Sequence, residues 1–355
     1  MRSMKDKRQS RLWRLENAII EAYIDRRLPV PGPVAQALLN LAVELYFHFA
    51  PTWEVLPDAW SGAVGPIAER SEDLMRIHYD QPAALFENFL GRSMKYSMAL
   101  WERGARDLDE AQETMLADLC DKAAIEDGDT ILDIGCGFGG FAAYALRRFP
   151  SAQVVGVTMS DVQYRYITER QGQPGHPLHD DRFRVIKEDF ATCRFDRRFD
   201  RIVSIGVFEH VANLRLALEK MAGFLKPRGS VLLHYIVYHR IIRAVADASR
   251  DGFFSRYIFP GGRFWPFNEL FRHQEHLRIE NSWFLNGSNY RRTLECWRAN
   301  FQRNLAAIRA HPDLDERFVR IWTAYLRFCI AIFRGMHGTN VGNGQYLLRH
   351  ARPVS

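Results

Sequence analysis

Gly135, Gly137 and Gly140 fall within LDIGCGFGG, directly after a β-rich run and at the head of a helix-like run. Glycines at that spacing let backbone amides approach a ligand closely at a helix N-terminus. Such a loop can cradle a dinucleotide, a phosphate or another adenosine-bearing molecule; a tight turn that binds nothing is the plain alternative. A dinucleotide site also requires a carboxylate for the ribose about 20 residues onward, at the end of the next strand. Here that strand ends in VVGVTMSDVQ, which offers Thr158, Ser160 and Gln163, with Asp161 already past its end. The dinucleotide reading loses ground on that count.

Further residues have the chemistry of proton transfer: Glu209 and His210 in SIGVFEHV, His234 in LLHYI, and Tyr290 in SNY. Each also has a structural reading. Glu209 and His210 can cap a helix beginning near Ala212, where an acid meets the positive end of the helix dipole. A histidine in an apolar strand is often a hydrogen-bonded core residue, although His234 would sit at the carboxyl edge of the sheet, where open α/β sheets bind ligands. Tyr290 can be a packing residue with a satisfied hydroxyl, and Cys329 in RFCIAIFR reads as a small buried hydrophobe.

The elements that must position these residues follow from periodicity. From about residue 110 to 237, the runs TILDIG, VVGVTMS, FRVIKEDF, FDRIVSIGV and SVLLHYIV alternate with room for helices. That alternation predicts a parallel, doubly wound α/β sheet with helices on both faces. IENSWFLNG and NGQYLLRH can rejoin the sheet, with helices at about 294–310 and 315–333 between them. The expected layout is a helical N-terminal cap over 1–72, a Rossmann-like core over 73–237, a lid insertion over 238–280, and closing strands and helices over 281–355. The lid segment, FFSRYIFPGGRFWPFNELF, is dense in aromatics with Arg256 and Arg263 among them; it reads either as core with solvated arginines or as the wall of an acyl tunnel that meets anionic headgroups.

Composition narrows the class. The 355 residues are 47% hydrophobic, enough for a large core, and carry a formal charge of +6 with acids and bases intermixed. No basic run stands apart from nearby acids, so nucleic acid is not an expected partner. Five cysteines, odd in number and without CxxC spacing, argue against a disulfide framework and against a structural metal site. The N-terminus lacks the order of a secretion signal and no apolar run reaches the ~20 residues of a membrane span. The expectation is a cytoplasmic protein that meets a membrane only from its inner surface, with the N-terminal helices free to cap or form a homodimer.

LDIGCGFGG with Asp133 at its start is similar to the first motif of the doubly wound methyltransferases that bind S-adenosylmethionine. That motif, VVGVTMSDVQ, SIGVFEHV, LLHYI, IFPGG and YRRTLECW fall in the order and spacing of the cyclopropane fatty acid synthase family, which includes the mycolic acid methyltransferases. The likeness covers about residues 75–350, and the N-terminal helices and SWFLNGSNYRRTLECW also resemble the plant alkaloid N-methyltransferases of the coclaurine type. The resemblance implies a class I S-adenosylmethionine-dependent methyltransferase. Its cofactor contacts would be Tyr96, Ser97, Asp133, Gly135, Gly137, Thr158, Gln163, Asp189 and Phe190, with Gln163 in place of the ribose carboxylate.

It further implies methyl or methylene transfer to the double bond of an unsaturated fatty acyl chain, with a bicarbonate base held by Glu209, His234, Tyr290 and the backbone of Ile236. The alternative substrate is a small amine, which needs only a nearby base to be uncharged. The family's YSC reads YSM here, so Met98 removes any side-chain role for the cysteine and leaves a backbone contact. An extra Glu of the alkaloid enzymes is Gly206 here, and His234 has no counterpart in them, which favours the acyl substrate. HYD at His78–Asp80 is similar to the family's opening motif, but QPAALFENF departs from its continuation, and no chemistry is assigned to it.

Overall fold

The computed structural model describes Ala18 and residues 20–25, 30–49, 62–239 and 253–352. Five parallel strands come first: β1 (Thr130–Ile134), β2 (Gln153–Thr158), β3 (Phe183–Lys187), β4 (Phe199–Ile205) and β5 (Leu225–Tyr238). They are followed by the two-residue β6 (Trp265–Pro266), β7 (Leu277–Leu285) and β8 (Val341–His350). The order is β3-β2-β1-β4-β5-β8-β7, with β6 beside β5 and with β8 antiparallel to both its neighbours. The expected doubly wound sheet is present, and its order reverses direction between β1 and β4. A crevice opens at such a switch point, at the carboxyl ends of the strands.

Helices cover the sheet because their caps and apolar faces leave them little else to do. Asp107 accepts the Glu110 amide at the start of α2 (Leu108–Lys122), and Ser160 accepts the Gln163 amide at the start of α4 (Asp161–Gln171). Between them, α3 (Gly140–Arg148) starts from the glycine loop, and α5 (Leu214–Phe224) is capped by Asn213. The last two long helices are α6 (Gly287–Arg303), capped by Asn286, and α7 (Glu316–Arg334), capped by Asp315, with a five-residue helix, Leu305–Arg309, between them. The helix expected at about 294 begins seven residues earlier because Asn286 accepts the Ser288 amide at 2.7 Å and starts the turn there.

An N-terminal helix, α1 (Gly32–Phe49), lies across α7: Arg327 donates to the Gly32 carbonyl, and Val43 and Phe47 are buried close to Gly335. Its outer face leaves Val34, Leu38, Leu41, Leu45 and Phe49 exposed. Residues 1–17, 50–61 and 240–252 lie outside the description, and with them most of the expected cap's flanks and the start of the lid. The remainder of the lid segment is tied into the protein: Trp265 is fully buried and donates through Nε1 to the Phe208 carbonyl at 3.1 Å. Its arginines are paired, Arg256 with Glu21 and Arg263 with Glu69. No described helix is long and apolar enough to cross a membrane.

Candidate active site

One cleft runs along the carboxyl ends of β1, β2 and β4. Its lining includes all nine residues expected to meet the cofactor: Tyr96, Ser97, Asp133, Gly135, Gly137, Thr158, Gln163, Asp189 and Phe190. The loop geometry explains the glycines. Gly135 has φ +74°, and a Cβ there would stand 2.2 Å from Val207 Cγ2; Gly137 has φ +56° and faces open space. Left-handed backbone at two closely spaced positions is accessible to glycine and strained for most other residues. At the end of β2, the Thr158 hydroxyl donates to Gln163 Oε1 at 2.7 Å, which presents the Gln163 amide nitrogen as a donor near the cleft.

Asp133 is 1% exposed, and its Oδ2 has no partner in the protein. Burial pushes its carboxyl up to about 7. On another stretch of the lining, Lys95 is 6% exposed and donates to the Met98 carbonyl; burial brings its ammonium down to about 7. The segment Tyr96–Trp101 is anchored to α6, where Thr293 Oγ1 accepts the Ala99 amide and Asn289 Oδ1 accepts the Trp101 amide.

Of the four proton-transfer candidates, Glu209, His234 and Tyr290 lie outside the lining of this cleft, and His210 is part of it together with Tyr79. Glu209 sits in a short helical turn, Phe208–His210, and its Oε1 accepts the Ile236 amide at 2.8 Å. The next helix begins at Leu214 with Asn213 as its cap, so the capping alternative for Glu209 does not hold. Oε2 is buried without a partner, and burial raises the carboxyl to about 7 against the pull of the Ile236 amide. His234 lies on the same face of β5 as Ile236, two residues apart. Asn343 Nδ2 stands 3.1 Å from its Nε2, its Nδ1 is unpartnered, and burial with nearby Lys95 and Lys122 keeps the ring neutral.

Tyr290 lies near the start of α6 with its ring against Phe333 at 4.4 Å between centroids. Burial first, and a charged Glu209 second, raise both the Tyr290 and Tyr79 hydroxyl pKa, and the second cause puts the three groups within electrostatic reach. The Ile236 amide, expected to serve a bound bicarbonate, already donates to Glu209.

HYD belongs to this site after all. Tyr79 stands 3.0 Å from His210 Nε2, and Asp80 accepts the Ser160 hydroxyl at 2.6 Å. His78 is fully buried, bonded to the Tyr96 hydroxyl at 2.9 Å and stacked on Trp322. Tyr96 also meets the Tyr325 hydroxyl at 3.0 Å, and Phe259 closes on His78 at 4.3 Å. The result is an aromatic box beside the cleft, with rings from four separate parts of the chain. Its one sequence signal was the HYD triplet. Cys329 is buried and its thiol is pushed far up by burial, as a small hydrophobe would be.

The chain matches the family described as mycolic acid cyclopropane synthetase over residues 68–341. It belongs to that family. The cyclopropane-fatty-acyl-phospholipid synthase of Escherichia coli strain K12 is 34% identical over 261 residues, 72% of this chain and 63% of that protein. A probable (S)-tetrahydroprotoberberine N-methyltransferase 2 of Papaver bracteatum is 30% identical over 233 residues, 65% of this chain and 64% of that one. The aligned stretches thus span less than two thirds of either relative. Coclaurine N-methyltransferase, crystallised with N-methylheliamine and S-adenosylhomocysteine, shares the fold at a TM-score of 0.83 and 23% identity, covering 94% of this chain and 99% of its own.

S-adenosylmethionine is the cofactor of this family, and the cleft fits it. The unpartnered Asp133 oxygen suits an ammonium, the Thr158–Gln163 pair suits ribose hydroxyls, and the buried Phe190 ring suits a base.

Proposed function

We propose that this member of the mycolic acid cyclopropane synthetase family transfers a methyl or methylene group to the double bond of an unsaturated fatty acyl chain. The observation that carries the reading is Glu209: a buried carboxylate with one oxygen pinned by the Ile236 amide and the other without a partner, within electrostatic reach of the Tyr290 and Tyr79 hydroxyls. When bound, S-adenosylmethionine supplies an activated methyl group. An alkene that accepts it becomes cationic, and the chain must both shelter that charge and remove a proton.

The aromatic box of His78, Tyr96, Phe259, Trp322 and Tyr325 supplies the first requirement, since ring faces stabilise a cation where water is excluded. Glu209 Oε2 supplies the second, taking the proton whose loss closes the ring. The Ile236 amide fixes the angle of the carboxylate, and Asn343 fixes the ring of His234. No bicarbonate is required in this scheme, because the amide that would hold it is committed to Glu209.

A second reading, N-methylation of a small amine, is favoured by Met98 in place of the cysteine and by Tyr79 and His210 on the cleft wall. The test supplies methyl-labelled S-adenosylmethionine, vesicles of unsaturated phospholipid and a panel of small amines, and follows the label by extraction and mass spectrometry. Label on acyl chains is the expected outcome, with product mass separating ring from branch. Label confined to amines would replace the acyl reading with the second one.

A further inference from the structure

Arg327 is buried for no reason given so far. It is 6% exposed, its Nη1 donates to the Gly32 carbonyl, and its Nε is buried without a partner. The other arginines of α7 are provided for: Arg317 meets Glu21 and Asp25, Arg320 meets Glu316, and Arg334 is exposed. Among the described residues no carboxylate pairs with Arg327. The charged group that acts on it is a second cation, Arg298 of α6, the helix packed along α7. Burial lowers the Arg327 guanidinium, the Tyr23 hydroxyl raises it, and Arg298 lowers it further. Arg298 has no ion-pair partner among the described residues either, and its Nε is likewise buried without a partner. A guanidinium does not escape burial by giving up its proton, so the cost stands until something anionic meets it.

The start of α1 adds to the excess of positive charge. A Cβ on Gly32 would stand 2.4 Å from Arg327 Nη2, so the guanidinium lies against the first residue of an 18-residue helix. That is the positive end of the helix dipole, where first-turn amides lack intrahelical partners, and α1 has no acid in its first turn. A cation there is unfavourable by itself. An oxyanion satisfies what meets at Arg327, because a guanidinium offers paired N–H groups to two oxygens of one phosphate and a helix N-terminus favours the same ligand. We infer that Arg327, Arg298 and the N-terminus of α1 form a binding site for a phosphate group, either free or as the ester of a lipid headgroup. The site is separate from the cofactor cleft, whose lining includes none of these residues, and it does not depend on which substrate is methylated. Trp322 and Tyr325 of the aromatic box lie well round α7 from Arg327. An anion that joins α1 and α6 to α7 therefore braces the helix that walls the box.

Titration calorimetry of the full chain with sodium phosphate, in chloride buffer of matched ionic strength, tests the site. Saturable binding of one phosphate per chain is expected. Arg327→Gln and Arg298→Gln should each weaken it by about 10- to 100-fold, the range of a charge-assisted hydrogen bond to a buried partner. Arg334→Gln, on the same helix but exposed, should bind phosphate as the wild type does. Retained binding of S-adenosylhomocysteine shows that a variant is folded, and if Arg327→Gln does not fold, Arg298→Gln decides the matter alone. Competition then identifies the source of the phosphate. Displacement by short-chain phosphatidylglycerol below its micelle concentration points to a lipid headgroup, and no displacement points to free phosphate. Absence of saturable phosphate binding in the wild type, or an equal loss in Arg334→Gln, would overturn the site and leave the two guanidinium groups to ordered water.

Discussion

Glu209→Gln should lower kcat by about 100- to 10,000-fold, the span of a lost general base, while S-adenosylhomocysteine binds with unchanged affinity. The glutamine keeps the oxygen that accepts the Ile236 amide and keeps the volume, so the cleft behind it has no reason to move. Stability should move the other way. The folded-state pKa of Glu209 is raised from 4.5 to about 7, so the fold prefers the protonated form. Its contribution is intact below pH 4.5 and is lost as pH rises through about 7, a change of roughly 3 kcal/mol at most. The amide does not titrate. Thermal unfolding of Glu209→Gln should therefore exceed that of the wild type at pH 8, and the gap should close toward pH 4. In the wild type, kcat should rise with pH through about 7 as the base ionises. Turnover at the wild-type rate in the variant would remove Glu209 from the chemistry, and a lower melting temperature at pH 8 would mean that its environment is not a desolvated one.

Gly140→Ala should weaken S-adenosylhomocysteine binding by about 100-fold, the loss that an ångström-scale displacement of a site can cause. A Cβ at Gly140 would sit 2.2 Å from the Ser93 carbonyl oxygen, a backbone atom that cannot rotate aside. Ser93 is itself held, because its hydroxyl donates to Gln112 Oε1 at 2.6 Å while Gln112 Nε2 donates to the Leu90 and Lys95 carbonyls. One methyl group must therefore part α3 from the segment carrying Lys95, Tyr96 and Ser97. Gly137→Ala is the control. Its Cβ meets nothing within 4 Å, and the cost is left-handed backbone at φ +56°, roughly 1 to 2 kcal/mol. Isothermal titration of both variants with S-adenosylhomocysteine decides the matter: the contact argument predicts the larger loss at Gly140, and equal losses would refer both to the loop backbone.

Local pattern carried the parts of this protein that depend on neighbours in the chain. Alternating β-rich and helical runs specify the sheet, since a strand buried on both faces and a helix with one apolar stripe have different periods. The glycine loop, Asp133 at the end of β1, and Thr158 and Gln163 around the end of β2 are all within a few residues of a strand terminus, and strand termini of one parallel sheet necessarily converge on one edge. That convergence is why the glycine loop, Asp133, Thr158 and Gln163 line one cleft, whereas Tyr96, Ser97, Asp189 and Phe190 were expected from the family resemblance. What a side chain does once it arrives there depended on partners far away in sequence. Glu209 could be read as a helix cap until Ile236, 27 residues on, was seen to donate to it. His234 is oriented by Asn343, 109 residues away, through the antiparallel pairing of β5 with β8. HYD acquired surroundings only when α7 and the Phe259 loop packed over it. Spacing along a chain encodes which elements form; desolvation and pairing, which set charge and reactivity, arise when those elements pack.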